Sequence, residues 1–238
     1  MRRKNLFLAV FVSIIGLSAC APNIEELVQE GRNFMDSENY PEAIKSFNKV
    51  LEHEPYNYDA LNAKGVALLR LGNVEESVEA LSEAINADTT NYKAFFNRGN
   101  AYRMLEKDQE AMLDYDYAIE LQPDVVDLYL NRGAILYKYQ EFDRALFDFE
   151  FALNIQPNSP LVLLNKGKAE LRINNPEDAI YSFNKVIELQ HENGEAHYWL
   201  GLAEIARNNI GEGCSALFTA QSLGVEGIDA VIGENCMQ

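Results

Sequence analysis

Basic residues are scarce in this 238-residue chain, where 20 Lys and Arg stand against 37 Asp and Glu, a formal net charge of -17. A polyanion such as nucleic acid is therefore excluded as a bulk electrostatic partner. Histidine is rarer still. His53, His191 and His197 are scattered, and the last two straddle an expected helix start, so no metal site is expected. There is no nucleophile elbow, Walker loop, HExxH or CxxC, and the many carboxylates single out no acid–base pair. No catalytic residue, no cofactor and no enzymatic activity are expected. Long apolar runs are confined to Leu6–Leu17, and the 24% charged and 47% hydrophobic composition suggests neither disorder nor a second fold.

That apolar run has a meaning of its own. Arg2, Arg3 and Lys4 precede it, and Leu17-Ser18-Ala19-Cys20 follows it with small residues before a cysteine. This is the pattern of a secretory signal, too short for a comfortable membrane span. It also resembles the lipobox of bacterial lipoproteins, with an ordinary signal peptide or an N-terminal anchor as the alternatives. The resemblance implies a signal peptide over 1–19, a palmitate-type lipid on Cys20, and a tether over 20–23. Because Ala21 rather than Asp follows the cysteine, it further implies the bacterial cell envelope, at the outer membrane. Three extended residues reach roughly 10 Å, so the folded part begins almost at the lipid surface.

What fills the remainder is a repeat. Tyr92–Gln122 reads as two helices, with Phe95, Gly99 and Tyr102 on one stripe of the first and Ala111, Tyr115 and Ala118 on one stripe of the second. Pro123 closes the unit. Gly31, Gly65, Gly99, Gly133, Gly167 and Gly201 recur every 34 residues, and the large residues Phe47, Leu81, Tyr115, Phe149, Phe183 and Leu217 recur in register with them. Small residues at such a spacing mark where two helices cross closely. The pattern resembles the tetratricopeptide repeat (TPR) signature. It implies an all-α, right-handed superhelical solenoid of six helix-turn-helix repeats over 24–227, with a capping helix in 228–238. Asn39, Asn73, Asn175 and Asn209 share one position in the inter-helix turn, where a left-handed residue is expected.

The tail, GCSALFTAQSLGVEGIDAVIGENC, is expected to form a last helix over 226–235. It resembles the end of many exported bacterial TPR proteins that share a late cysteine pair. That resemblance implies a Cys214–Cys236 disulfide, with two free thiols as the alternative.

A TPR resemblance also implies recognition of a protein or extended peptide along the concave face formed by the first helices. The expected function is an envelope-anchored adaptor; the alternative is a self-associating structural component of a larger envelope assembly. Asn97, Asn131 and Asn165 recur at one register position, as do the asparagines that bond a peptide backbone in other long arrays. Arg98 and Arg132 each have an Asp sixteen residues on (Asp114, Asp148), while Lys64 and Lys166 face Ala80 and Ser182, which points to structural Arg–Asp pairs.

Charge singles out the binding face. The first fourteen residues of the six repeats hold 12 basic and 9 acidic residues, net +3, whereas the remainder from Cys20 onward holds 5 and 28, net -23. The expected lining is Lys93, Asn97, Asn100, Arg103, Asn131, Lys138, Asn165, Lys168 and Arg172, and the expected ligand carries acidic groups or a free carboxylate. Dipole complementation accounts for cations near first-helix ends, but not for Lys93 or Lys168.

Overall fold

The computed structural model describes residues 23–237, so the expected signal peptide and the lipid-bearing Cys20 lie outside the described residues. Among the described residues there are thirteen helices and no strand. In order they are α1 (Ile24–Asp36), α2 (Tyr40–His53), α3 (Tyr58–Leu71), α4 (Val74–Ala87), α5 (Tyr92–Met104), α6 (Asp108–Leu121), α7 (Val126–Lys138), α8 (Phe142–Ile155), α9 (Pro160–Arg172), α10 (Pro176–Leu189), α11 (Gly194–Ala206), α12 (Ile210–Ser222) and α13 (Asp229–Cys236). Each helix packs on the next, and contacts reach no further than the neighbouring repeat. The architecture is an all-α superhelical solenoid.

The glycine register explains the pairing inside each repeat. A Cβ placed on Gly99 would lie 2.7 Å from the ring of Tyr115, and one on Gly133 would lie 2.7 Å from Phe149. Both rings are fully buried. Only a residue without a side chain lets the second helix approach this closely, and the same clash recurs in the other four repeats.

Helix starts follow the end of each preceding repeat. Asn23, Asn57, Asn91 and Asn193 accept a first-turn N–H as N-caps, which satisfies a donor the helix leaves open. Val125 and Ser159 make no such bond for α7 and α9.

The inter-helix turns differ from expectation by one residue. The left-handed positions are Glu38, Gly72, Glu106, Gln140, Asn174 and Asn208, not the asparagines that follow. Asn39, Asn73, Asn175 and Asn209 instead occupy the N-cap position of the second helix with negative φ. The reason is a Schellman-type closure, in which the N–H of Asn39 reaches the carbonyl of Phe34 and that of Glu38 reaches Met35. The left-handed residue therefore falls one step before the Asn. Glu106 and Gln140 hold φ of 58° and 63° with a full side chain. Glu106→Gly and Gln140→Gly should each raise stability by about 0.5–1 kcal/mol in urea melts, the relief of strain exceeding the glycine entropy cost. A loss of stability in both would contradict this assignment.

Consecutive first helices touch at α1–α3, α3–α5, α7–α9 and α9–α11, while consecutive second helices make no comparable approach. The first helices thus form the inner layer and the second helices the outer wall. At the C-terminal end α13 lays Ile228 and Ile232 over Leu217 and Ala220, covering the apolar end of repeat six. It starts at Asp229 rather than Glu226, because Gly227 at φ 76° breaks the chain direction just before it. Cys214 and Cys236 are joined, S–S 2.03 Å, which ties α13 to α12.

Two ion pairs are built into the repeats. Arg98 donates through Nε and Nη2 to Asp114 at 2.9 and 2.7 Å, and its Nη1 donates to Ser82 at 3.0 Å. Arg132 grips Asp148 in the same fork at 2.9 and 2.7 Å, with Nη1 on Asp116 at 2.6 Å. Where the register carries Lys166, the ammonium turns to Glu170, whose other oxygen accepts from Ser182 at 2.7 Å.

Candidate functional site

All nine expected lining residues lie on α5, α7 and α9 of the inner layer, but many of them already have partners. Lys93, in the first turn of α5, is exposed and makes no ion pair among the described residues. Asn97 donates to Asn62 of α3 at 3.0 Å. Asn100 accepts from the Tyr115 hydroxyl at 2.8 Å and from Asn131 at 3.2 Å, while Arg103 donates to the Asn131 carbonyl oxygen at 2.7 Å. These four residues form one network joining α5, α6 and α7. Burial pushes the Tyr115 phenol far up, so its hydroxyl stays a donor throughout the working pH range.

Further along, Lys138 pairs with the buried Asp108, whose hydrogen bond holds the ammonium above its usual range. Lys168 lies between Glu195 and the face of Trp199, 5.4 Å from the ring centroid. The Arg172 guanidinium stacks 4.7 Å from Phe142 and 6.0 Å from Tyr137. Arg172 makes no ion pair among the described residues, whereas the Lys168 ammonium is already shared between Glu195 and the ring.

The three register asparagines do not form one row. Asn97 and Asn131 bond to the preceding first helix, whereas Asn165 folds back to the Leu161 carbonyl of its own helix at 2.9 Å. The cause lies on the neighbour: Asn62 and Asn100 stand ready for the first two, but α7 offers Leu130 and Ala134. Sequence reasoning missed Asn62 and the aromatic floor of Tyr137, Phe142 and Trp199. The signal was available as a sequence offset: Arg32–Asp59 and Lys168–Glu195 are each 27 apart, and Asn100–Asn131 are 31 apart. Those offsets fall about two turns and one turn short of a full repeat, which is the distance between neighbouring first helices.

His197 bonds the His191 carbonyl oxygen at 3.2 Å, and no cluster of metal-ligating residues occurs among the described residues. What the inner layer offers is a polar, cation-bearing surface repeated along a solenoid. This is a scaffold for recognising other proteins.

The chain belongs to the tetratricopeptide repeat family, whose models match residues 28–92 and 164–220, and residues 92–125. Among solved structures it is similar to pilF of Pseudomonas aeruginosa, at 17% identity and a TM-score of 0.76, covering 89% of this chain and 96% of that one. It is also similar to YrrB, described as a TPR protein with an unusual peptide-binding site, at 19% identity and a TM-score of 0.71, covering 79% and 97%. A TPR protein from Parabacteroides merdae matches at 20% identity and a TM-score of 0.64, covering 90% and 97%. No protein with a curated description matches the sequence. At these identities the structural likeness shows the fold alone; it is membership of the repeat family that supports a general protein–protein interaction role.

Proposed function

We propose that this protein is a lipid-anchored adaptor of a bacterial envelope, held at the outer membrane, and that it holds an extended peptide with acidic groups or a free carboxylate across repeats three to five. The observation that carries the reading is charge segregation. The first helices of repeats two to five bear ten basic residues against Asp59, Asp127 and Glu170. Two of those three acids are spoken for, Asp59 by Arg32 and Glu170 by Lys166. Arg98, Arg132, Lys138 and Lys168 are paired with acids of other helices, which leaves Lys64, Arg70, Lys93, Arg103 and Arg172 without an ion pair among the described residues. An acidic shell around a cationic inner face supports capture of a carboxylate there and discourages it elsewhere.

The test uses an extended Asp/Glu peptide with a free C-terminal carboxylate, titrated with the full chain. Lys93→Glu combined with Arg103→Glu should weaken binding roughly tenfold or more, with helicity retained. Lys168 is left intact, because its reversal would also set a second carboxylate against Glu195. Binding should fall with added salt, as these contacts are partly exposed. Undiminished binding by the double variant would remove the site from the inner face. For the anchor, Cys20→Ala should release the mature chain or leave an uncleaved precursor; normal processing with membrane retention would refute it.

A further inference from the structure

The outer wall carries a second feature that the groove does not use. On α6, Leu113 and Tyr117 are 59% and 54% exposed; on α8, Phe147 and Phe151 are 63% and 37% exposed; on α10, Tyr181 is 63% exposed. Single exposed apolar residues are ordinary, but these fill five of the six places at two fixed positions, one helical turn apart, in three consecutive repeats. The sixth holds Lys185, which pairs with Glu188 and lies 5.7 Å from the Tyr181 ring centroid. The same two positions in repeats one, two and six hold Lys45, Lys49, Glu79, Glu83, Ser215 and Thr219. The fold thus accepts solvated residues at this register; repeats three and four depart from them at both positions, and repeat five at Tyr181.

The ridge is set in unpaired negative charge. Glu110, Glu120, Asp143 and Glu150 are exposed on α6 and α8 and make no ion pair among the described residues. A cleft of about 360 Å3, lined by Arg132, Leu136, Asp143, Arg144, Phe147 and Asp148, opens beside the ridge.

We propose that the outer wall of repeats three to five is a docking surface for an amphipathic helix of a partner protein, whose apolar stripe is edged by Lys and Arg. The aromatic rows take the stripe, and the flanking carboxylates take the cations, as in other helix-in-groove contacts. Charge decides between occupants. The same wall on a second copy would bring the same carboxylates, and an anionic lipid surface would be repelled.

The probe is a fluorescein-labelled leucine–lysine amphipathic helix of five turns, about 18 residues, with its leucine–glutamate counterpart as the second probe. The full chain should bind the lysine probe saturably, and salt should weaken that binding. Tyr117→Glu, Phe147→Glu and Tyr181→Ser together should cost roughly tenfold or more in affinity. These substitutions introduce residue types already present at the register, so helicity should hold; if it does not, Phe147→Ser alone is read. The inner-face variant Lys93→Glu/Arg103→Glu should leave the lysine probe's affinity unchanged, which separates the two surfaces. Equal binding by the ridge variant and the native chain overturns the proposal, as does preference of the ridge for the glutamate probe. Self-association that the ridge variant abolishes would make a second copy the occupant and overturn it equally.

Discussion

Arg132→Met should destabilise the protein by about 3–5 kcal/mol at neutral pH, the largest loss expected from any single polar side chain in the array. Asp148 is only 1% exposed and receives both arms of the Arg132 fork. Without Arg132 a carboxylate remains buried with no counter-charge, and Asp116 loses its partner as well. The pH dependence has a definite sign. Burial already raises the Asp148 carboxyl above its ordinary value, against the lowering by Arg132 hydrogen bonds and charge. In the variant burial and the Asp116 charge still raise it and only the Arg144 charge, the smallest of these influences, still lowers it, so the folded-state pKa climbs further from the unfolded value. The deficit is therefore fully present above the folded pKa and shrinks as pH falls through it toward the unfolded value. Removing both groups, as Arg132→Met with Asp148→Leu, should recover most of the stability at neutral pH. Urea melts between pH 4 and 8 decide the matter, and a deficit that does not change with pH would show that Asp148 is not the cause.

The second large effect lies in the apolar seam of repeat four. Phe149→Ala should cost about 3–5 kcal/mol, because a fully buried ring is removed from a site that cannot collapse around glycine. Gly133→Ala alone should cost less, since about 1–3 kcal/mol of overpacking is offset by about 1 kcal/mol of helix propensity. Together they are not additive. The methyl group of Gly133→Ala enters the space the Phe149 ring occupied, so in the Phe149→Ala background it should be neutral or stabilising. A full thermodynamic cycle measures this coupling. If Gly133→Ala costs the same in both backgrounds, the glycine register has some other origin than the ring.

The legible part of this protein was whatever recurs at a fixed spacing within one repeat. Gly99 beside Tyr115, and Arg98 opposite Asp114, could be paired on paper because both members ride on the same helix hairpin. The contacts between repeats were less readable. Whether Asn165 bonds a neighbour or its own helix depends on residues 130 and 134 of the preceding repeat and on the rotation between the two units. A one-residue shift in the turns followed from reading Asn39 as the left-handed residue when the backbone closure puts Glu38 there. The ridge was hidden for a different reason. Phe147 and Tyr181 in an amphipathic second helix look like core residues until the crossing angle decides which face is covered, and here they are left facing water.

One junction stands apart in mechanical terms. Between repeats three and four, α5 and α7 lack the approach made by the other neighbouring first helices, and α7 begins at Val125 without a side-chain cap. There the Asn100–Asn131–Arg103 strap and Lys138 reaching back to Asp108 supplement an apolar core in which Leu128 and Ile135 of α7 pack with Phe95 and Tyr115. Side-chain straps lengthen and shorten by rotamer change, whereas helix-on-helix packing resists any change of angle. With the least direct contact between neighbouring first helices, this junction is where a change of angle in the array would meet the least resistance. A peptide bound as proposed across repeats three to five would span that junction and oppose a change of angle there.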